Sequence, residues 1–137
     1  MKILMLSDLH IDTDIDFNFA ENILEKMALV VNHCIDINEE IYAIILGDII
    51  NQGNRDSERK YQIAEQIFLK LKNKIKSENL KMCFIPGNHD LCDKQLTQFN
   101  LFVNKFSYTP IDFESTTFYQ EEIFGLNFVF ANSVIHR

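Results

Sequence analysis

Lys81-Met82-Cys83-Phe84-Ile85-Pro86-Gly87-Asn88-His89-Asp90 is a short apolar run halted by Pro-Gly and followed at once by an amide, an imidazole and a carboxylate. A continuous apolar run bounded by a turn signal predicts a buried strand. The same construction occurs twice upstream. Lys2-Ile3-Leu4-Met5-Leu6 leads into Ser7-Asp8-Leu9-His10, and the isoleucine-rich run from Ile41 to Leu46 leads into Gly47-Asp48-Ile49-Ile50-Asn51-Gln52-Gly53. Segments of helical period lie between these runs. Residues 20 to 35 carry Ile23, Leu24, Met27, Val30, Val31 and Cys34 at helical spacing. In a second helix Ile63, Ile67, Leu71 and Ile75 recur every fourth position, with Ala64 and Phe68 widening the stripe. Ser57 is placed to cap that second helix.

Apolar strands alternating with amphipathic helices indicate an α/β fold: a parallel sheet with right-handed crossovers and helix cover. Asp93 to Phe106 is expected to form a third helix, with Leu96, Phe99, Phe102 and Phe106 on one side. Beyond it Leu126, Phe128 and Phe130 alternate with Asn127, Val129 and Ala131 after a turn at Gly125, and Thr117 to Phe124 can pair with them as a hairpin. No repeat, low-complexity tract or linker divides the chain, which reads as one domain or one piece of a domain.

The chain has 137 residues, 47% hydrophobic and 24% charged, the balance of a soluble globular domain. Twenty acids against thirteen Lys and Arg give a formal charge of −7, which speaks against binding nucleic acid by broad phosphate neutralisation. Lys70, Lys72, Lys74 and Lys76 are read accordingly as a solvated helix end whose cations complement the helix dipole. No run approaches a membrane span or a secretion signal. Three scattered cysteines give neither a disulfide framework nor a CxxC site, and a cytoplasmic, reduced protein is expected. Cys34 and Cys83 are expected to pack in the core, Cys92 to be inert near the polar strand ends, and His33 to have a solvated or hydrogen-bonded structural role.

In parallel α/β sheets ligands bind at the carboxyl ends of the strands, and here all three ends are polar. Asp8 and His10 stand two apart, so in extended backbone both side chains leave the same face while Leu9 turns inward. The Asp48 carboxylate, following a glycine, can bridge two cations, and the Asn88 amide oxygen is a hard neutral ligand. A mixed carboxylate, amide and imidazole set suits manganese, iron or zinc better than calcium. Two such ions would acidify a bridging water and hold a phosphoryl oxygen, the outline of a phosphoesterase. Turn and capping chemistry explains single Asp and Asn residues at strand ends, but not two histidines at one rim. Asp12, Asp14 and Asp16 form an acidic loop, read as solvated with one member capping the next helix.

Asp-x-His after the first strand, Gly-Asp after the second and Gly-Asn-His-Asp after the third resemble the first three motifs of the calcineurin-like metallophosphoesterases. That resemblance implies two divalent metal ions, Mn2+, Fe2+/Fe3+ or Zn2+. Asp8 and His10 would hold the first, Asp48 would bridge, and Asn88 would hold the second. His89 would be the catalytic group beside the metals, stabilising the phosphoryl transition state or protonating the leaving oxygen. Asp90 would serve catalysis by orienting its neighbours rather than by binding metal. The implied substrate is a phosphoester, the enzyme a phosphatase or phosphodiesterase.

The complete fold of this family resembles a four-layer αββα sandwich of two sheets. Residues 1 to 137 would supply its βαβαβ half, the N-terminal part of a single domain lacking the C-terminal sheet. Two departures stand out. Phosphoprotein phosphatases of the family carry an aspartate paired with the histidine where this chain has Asn51, a neutral amide able to orient His89 without lending it charge. The family's later histidine and Gly-His-x-His segment are not found, and His136, with no glycine before it, is a poor substitute. The expectations that follow are weak metal binding, little turnover, and a sheet face covered by a missing C-terminal half or by self-association. The alternative is a non-catalytic scaffold of the same fold for protein–protein interaction, but retention of Asp8, His10, Asp48, Asn88 and His89 together favours catalytic ancestry.

Overall fold

Three parallel strands, β1 (Lys2–Leu6), β2 (Ile41–Ile45) and β3 (Leu80–Phe84), pair in the order β1-β2-β3 in a computed structural model that describes residues 1–14, 17–36, 38–76 and 78–134. Their registers align Leu4 with Ala43 and Ala43 with Met82. The crossovers are the helices α1 (Phe17–Cys34) and α2 (Ser57–Lys74), which pack side by side. Successive crossovers of one hand deliver both helices to the same face of the sheet. After β3 come a 3-10 turn at Asn88–Asp90, the helix α3 (Thr97–Val103) and an antiparallel hairpin, β4 (Phe118–Ile123) and β5 (Leu126–Ala131). The hairpin turns through Phe124 and Gly125 with φ of 52° and 76°, a geometry that suits the glycine anticipated there.

Strand alternation sorts the sheet residues between two cores. Leu4, Leu6, Ile41, Ala43, Ile45, Met82 and Phe84 face the helices and join Ala64, Ile67, Phe68 and Leu71 of α2 with Phe99 and Phe102 of α3. Tyr42, Ile44 and Cys83 face the other way, against Ile123 and Phe130 of the hairpin. The second face is therefore not left without a sheet, as the sequence reading held; the hairpin covers part of it. That cover stops short of β1, where Ile3 is 48% and Met5 62% exposed.

Three further expectations are corrected. Among the described side chains of α1 only Leu24 and Ala28 are buried, while Ile23, Val30 and Cys34 are exposed, because α1 is the outer helix of its layer and α2 covers one side of it. Ser57 opens α2 instead of capping it: Asp56 is the N-cap, and the Ser57 hydroxyl donates to Cys92 Sγ at 3.4 Å. The third helix is half the expected length. Asp93 and Lys94 adopt left-handed φ of 49° and 65°, and Cys92 and Gln95 form an isolated bridge, so the chain turns before Thr97; Leu96, Phe99, Phe102 and Phe106 are nevertheless buried as anticipated. Lys70 and Lys74 are exposed at the end of α2, as expected, and also pair with Glu21 and Glu25 of α1. Cys83 is buried and His33 exposed, as expected. Asp16 and His136 lie outside the described residues. Among the described residues no helix is long and apolar enough to cross a membrane.

Candidate metal centre

The loops after β1 and β2 run side by side beyond the strands, so that the parallel ladder carries on into the polar rim. Asp8 N–H donates to the Gly47 carbonyl at 3.2 Å, His10 N–H to Asp48 at 2.9 Å and Ile11 N–H to Ile49 at 2.9 Å. This pairing brings Asp8, His10 and Asp48 together, each offering a ligand atom within 4.8 Å of the others. The backbone there is not extended, as the two-residue spacing suggested. Asp8, His10 and Asp48 have φ of 55°, 46° and 50°, and Gln52 has 49°. Each left-handed non-glycine residue costs on the order of 1–3 kcal/mol, and such residues persist only where surrounding contacts over-determine them. Leu9 does pack against the core as anticipated.

The third loop is pressed onto the second. A Cβ on Gly47 would fall 2.4 Å from Gly87 N, and one on Gly87 would fall 2.1 Å from Asp48 Oδ1, so both positions require glycine for the approach itself. In return His89 N–H donates to Asp48 Oδ1 at 2.9 Å. The His89 ring stands edge-on to His10, centroids 4.7 Å apart at 81°. Asn88, between the two residues that touch Asp48, opens the 3-10 turn and is exposed on the same rim.

Asp90 faces inward. It is fully buried, its Oδ1 accepting from Ile49 N–H at 3.0 Å and the Tyr61 hydroxyl at 3.0 Å, and its Oδ2 from Gly87 N–H at 2.9 Å. The carboxylate thus staples the second loop, the third loop and α2 together. Burial pushes its pKa up to about 6 against the pull of these donors, with the nearby Asp48 charge adding to the rise.

His89 is oriented by a different residue from the one expected. Gln52 N–H donates to its Nδ1 at 3.2 Å, which places the proton of the neutral ring on Nε2, while the Asn51 amide turns away and donates to Asp12 Oδ2 at 2.9 Å. Asp12 also faces Lys60, whose Nζ lies 3.4 Å from its Oδ1. Partial burial raises the Asp12 pKa, but the Thr13 amide, the Asn51 amide and the Lys60 charge outweigh it and hold the carboxyl below its ordinary range. The sequence reading had missed Lys60, Tyr61, Gln52 and the inward role of Asp12. For Lys60 a signal was present: it occupies the α2 stripe that continues through Ala64, Ile67 and Leu71, an odd place for a lysine.

The donors fit a divalent cation. Two carboxylates and an imidazole converge, and among the described residues the only ion-pair partner of Asp8 is His10 at 3.8 Å, with no lysine or arginine paired to Asp8 or Asp48. Such a set, concentrated negative charge with a borderline nitrogen, suits Mn2+, Fe2+ or Zn2+.

A parallel sheet that gathers carboxylates and imidazoles at its carboxyl rim defines an α/β protein with a candidate cation site where such folds bind their ligands. Comparison with protein families matches residues 1–133 to the Calcineurin-like phosphoesterase family, and the chain belongs to that family. No curated protein and no solved structure matches the chain.

Proposed function

We propose that this chain carries the metal-binding rim of a phosphoester hydrolase, with Asp8, His10, Asp48 and Asn88 as ligands for two divalent cations. The convergence of Asp8, His10 and Asp48 within 4.8 Å carries the reading, and membership of a phosphoesterase family supports it. Cations bound there would polarise phosphoryl oxygens and acidify an attacking water. The chain's own residues do the rest. The His89 backbone N–H holds Asp48 in place. The His89 ring, fixed through Nδ1, presents Nε2–H as a hydrogen-bond donor to a phosphoryl or leaving-group oxygen. Asp90 keeps the loops bearing Asp48 and His89 in register.

The test is titration of the purified chain with Mn2+, followed by hydrolysis of nitrophenyl phosphate and bis-nitrophenyl phosphate. Saturable Mn2+ binding that disappears in Asp48→Asn is expected, with low turnover. Preference between the two esters then separates a monoesterase from a diesterase. A folded wild-type chain that binds no Mn2+ sinks the reading.

A further inference from the structure

Lys60 is a buried lysine whose ammonium is shared among parts of two of the metal-rim loops. Its side chain is 5% exposed; Nζ donates to the carbonyls of Asn51 and of Gln52, the latter at 3.2 Å, and faces Asp12 Oδ1 at 3.4 Å. An ammonium has three protons and here finds three acceptors, which is how a buried cation is tolerated. The segment it grips in turn grips the third loop: Gln52 N–H donates to His89 Nδ1 at 3.2 Å and Gly53 N–H to the His89 carbonyl at 2.9 Å. Gln52 is itself left-handed at φ 49°, a conformation that needs holding, and Lys60 bonds the carbonyl of that residue. Lys60 is rigidly mounted, since Ala64, Ile67, Phe68 and Leu71 of the same helix are buried against the sheet.

We propose that Lys60 is a positioning residue of the rim: by tying the Asn51–Gln52 segment to Asp12 it places the Gln52 amide that fixes the His89 ring. Lys60 touches none of Asp8, His10, Asp48 or Asn88 and acts through Gln52. The proposal rests on reading the rim as a metal centre, but its first readouts do not depend on a metal.

The experiment uses the 15N-labelled full chain, wild type and Lys60→Met, with far-UV circular dichroism to establish folding. In wild type the Gln52 amide is expected to exchange slowly and His89 to show a single tautomer protonated on Nε2. In folded Lys60→Met, Gln52 exchange accelerates at least about tenfold, His89 populates both tautomers, and Mn2+ affinity falls about tenfold, the lower end for loss of an outer support. A folded Lys60→Met with unchanged Gln52 exchange and an unchanged His89 ring overturns the proposal. If the variant does not fold, wild type decides. A Lys60 ammonium signal, visible only when its protons are buried and hydrogen-bonded, supports the proposal, and its absence overturns it. A wild-type chain that binds no Mn2+ removes the metal centre while the Gln52 and His89 readouts still judge Lys60.

Discussion

The two faces of the parallel sheet are finished in different materials. Against the helices the packing is almost wholly apolar: Phe68, Phe84, Phe102 and Phe106 form a continuous ring cluster with centroids such as 5.5 Å between Phe68 and Phe84 and 5.3 Å between Phe102 and Phe106. Against the hairpin, apolar Ile44, Ile123 and Phe130 share the interface with polar atoms. The Tyr42 hydroxyl donates to Glu121 at 2.9 Å, Thr109 donates to the other oxygen of Glu121, and the Cys83 thiol meets the Tyr119 hydroxyl. Burial without direction stabilises the first face, whereas the second depends on groups that must meet in one seating. The candidate metal site is built on the better-packed side, where the side chain of Asp90 and those of Lys60 and Tyr61 on α2 reach its loops.

The largest effect expected from this contrast is loss of the helix-side core. Phe84 is fully buried against Phe68, Phe102 and Phe106, so Phe84→Ala should cost about 3–5 kcal/mol, much of the stability of a small domain. Phe130→Ala, 6% exposed in the smaller cluster, should fall at or below the bottom of that range because a hairpin can resettle. Urea unfolding gives the two numbers, and amide exchange shows where they act. Phe84→Ala should lower protection throughout β1, β2 and β3; Phe130→Ala should lower it in β4 and β5 alone. Equal loss of protection in all five strands for Phe130→Ala would break the distinction between the faces.

Much of the helix-side face was legible in the sequence, since its signals are periodic. The Ile67, Phe68 and Leu71 stripe, and Phe99 and Phe102 of α3 with Phe106 just beyond it, announce burial through spacing. The candidate site was legible for another reason: Asp8, His10 and Asp48 sit just after strands, and strand order alone brings them to one edge. What stayed hidden was whatever depends on backbone turning. Nothing in the order of residues says that Asp8 and His10 are left-handed, that Asn51 faces Asp12 while the Gln52 amide takes His89, or that Asp93 and Lys94 shorten α3. On α1 the periodicity was correct, but burial requires a neighbour, and Val30 and Cys34 have none covering them.

The hairpin face should give itself away in alkali. Burial pushes the Cys83 thiol up from 9.0 to about 11, with Glu121 adding to the rise and the Tyr119 and Tyr42 hydroxyls opposing it. The native state therefore holds this proton more tightly than the unfolded chain. Its contribution is intact below pH 9 and is lost as pH climbs through 11, at most about 3 kcal/mol for a two-unit shift. Burial also drives the Tyr42 and Tyr119 phenols upward, so they lose stability in the same direction. Urea midpoints at pH 8 and pH 10.5 should report the thiol, because Cys83→Ala removes its proton together with the part of the phenols' rise that the thiol causes. If the variant loses as much stability as wild type over that interval, the thiol is not part of what holds the hairpin down.

The smallest effect belongs to the outer surface of the helix layer. Lys74 pairs with Glu25 across α1 and α2, with the two side chains 43% and 49% exposed. Water already solvates both groups, so Lys74→Ala should cost about 0.5 kcal/mol or less, and 0.5 M NaCl should erase most of the difference. Lys60 lies on the same helix with its side chain only 5% exposed. There water cannot replace the Asn51 and Gln52 carbonyls as partners, so Lys60→Met should cost several times more than Lys74→Ala and respond little to salt. Paired urea unfolding curves at low and high salt measure both. Should Lys74→Ala prove as costly as Lys60→Met, ion pairing between the helices would belong to the framework of the fold, and burial would no longer be what separates the two lysines.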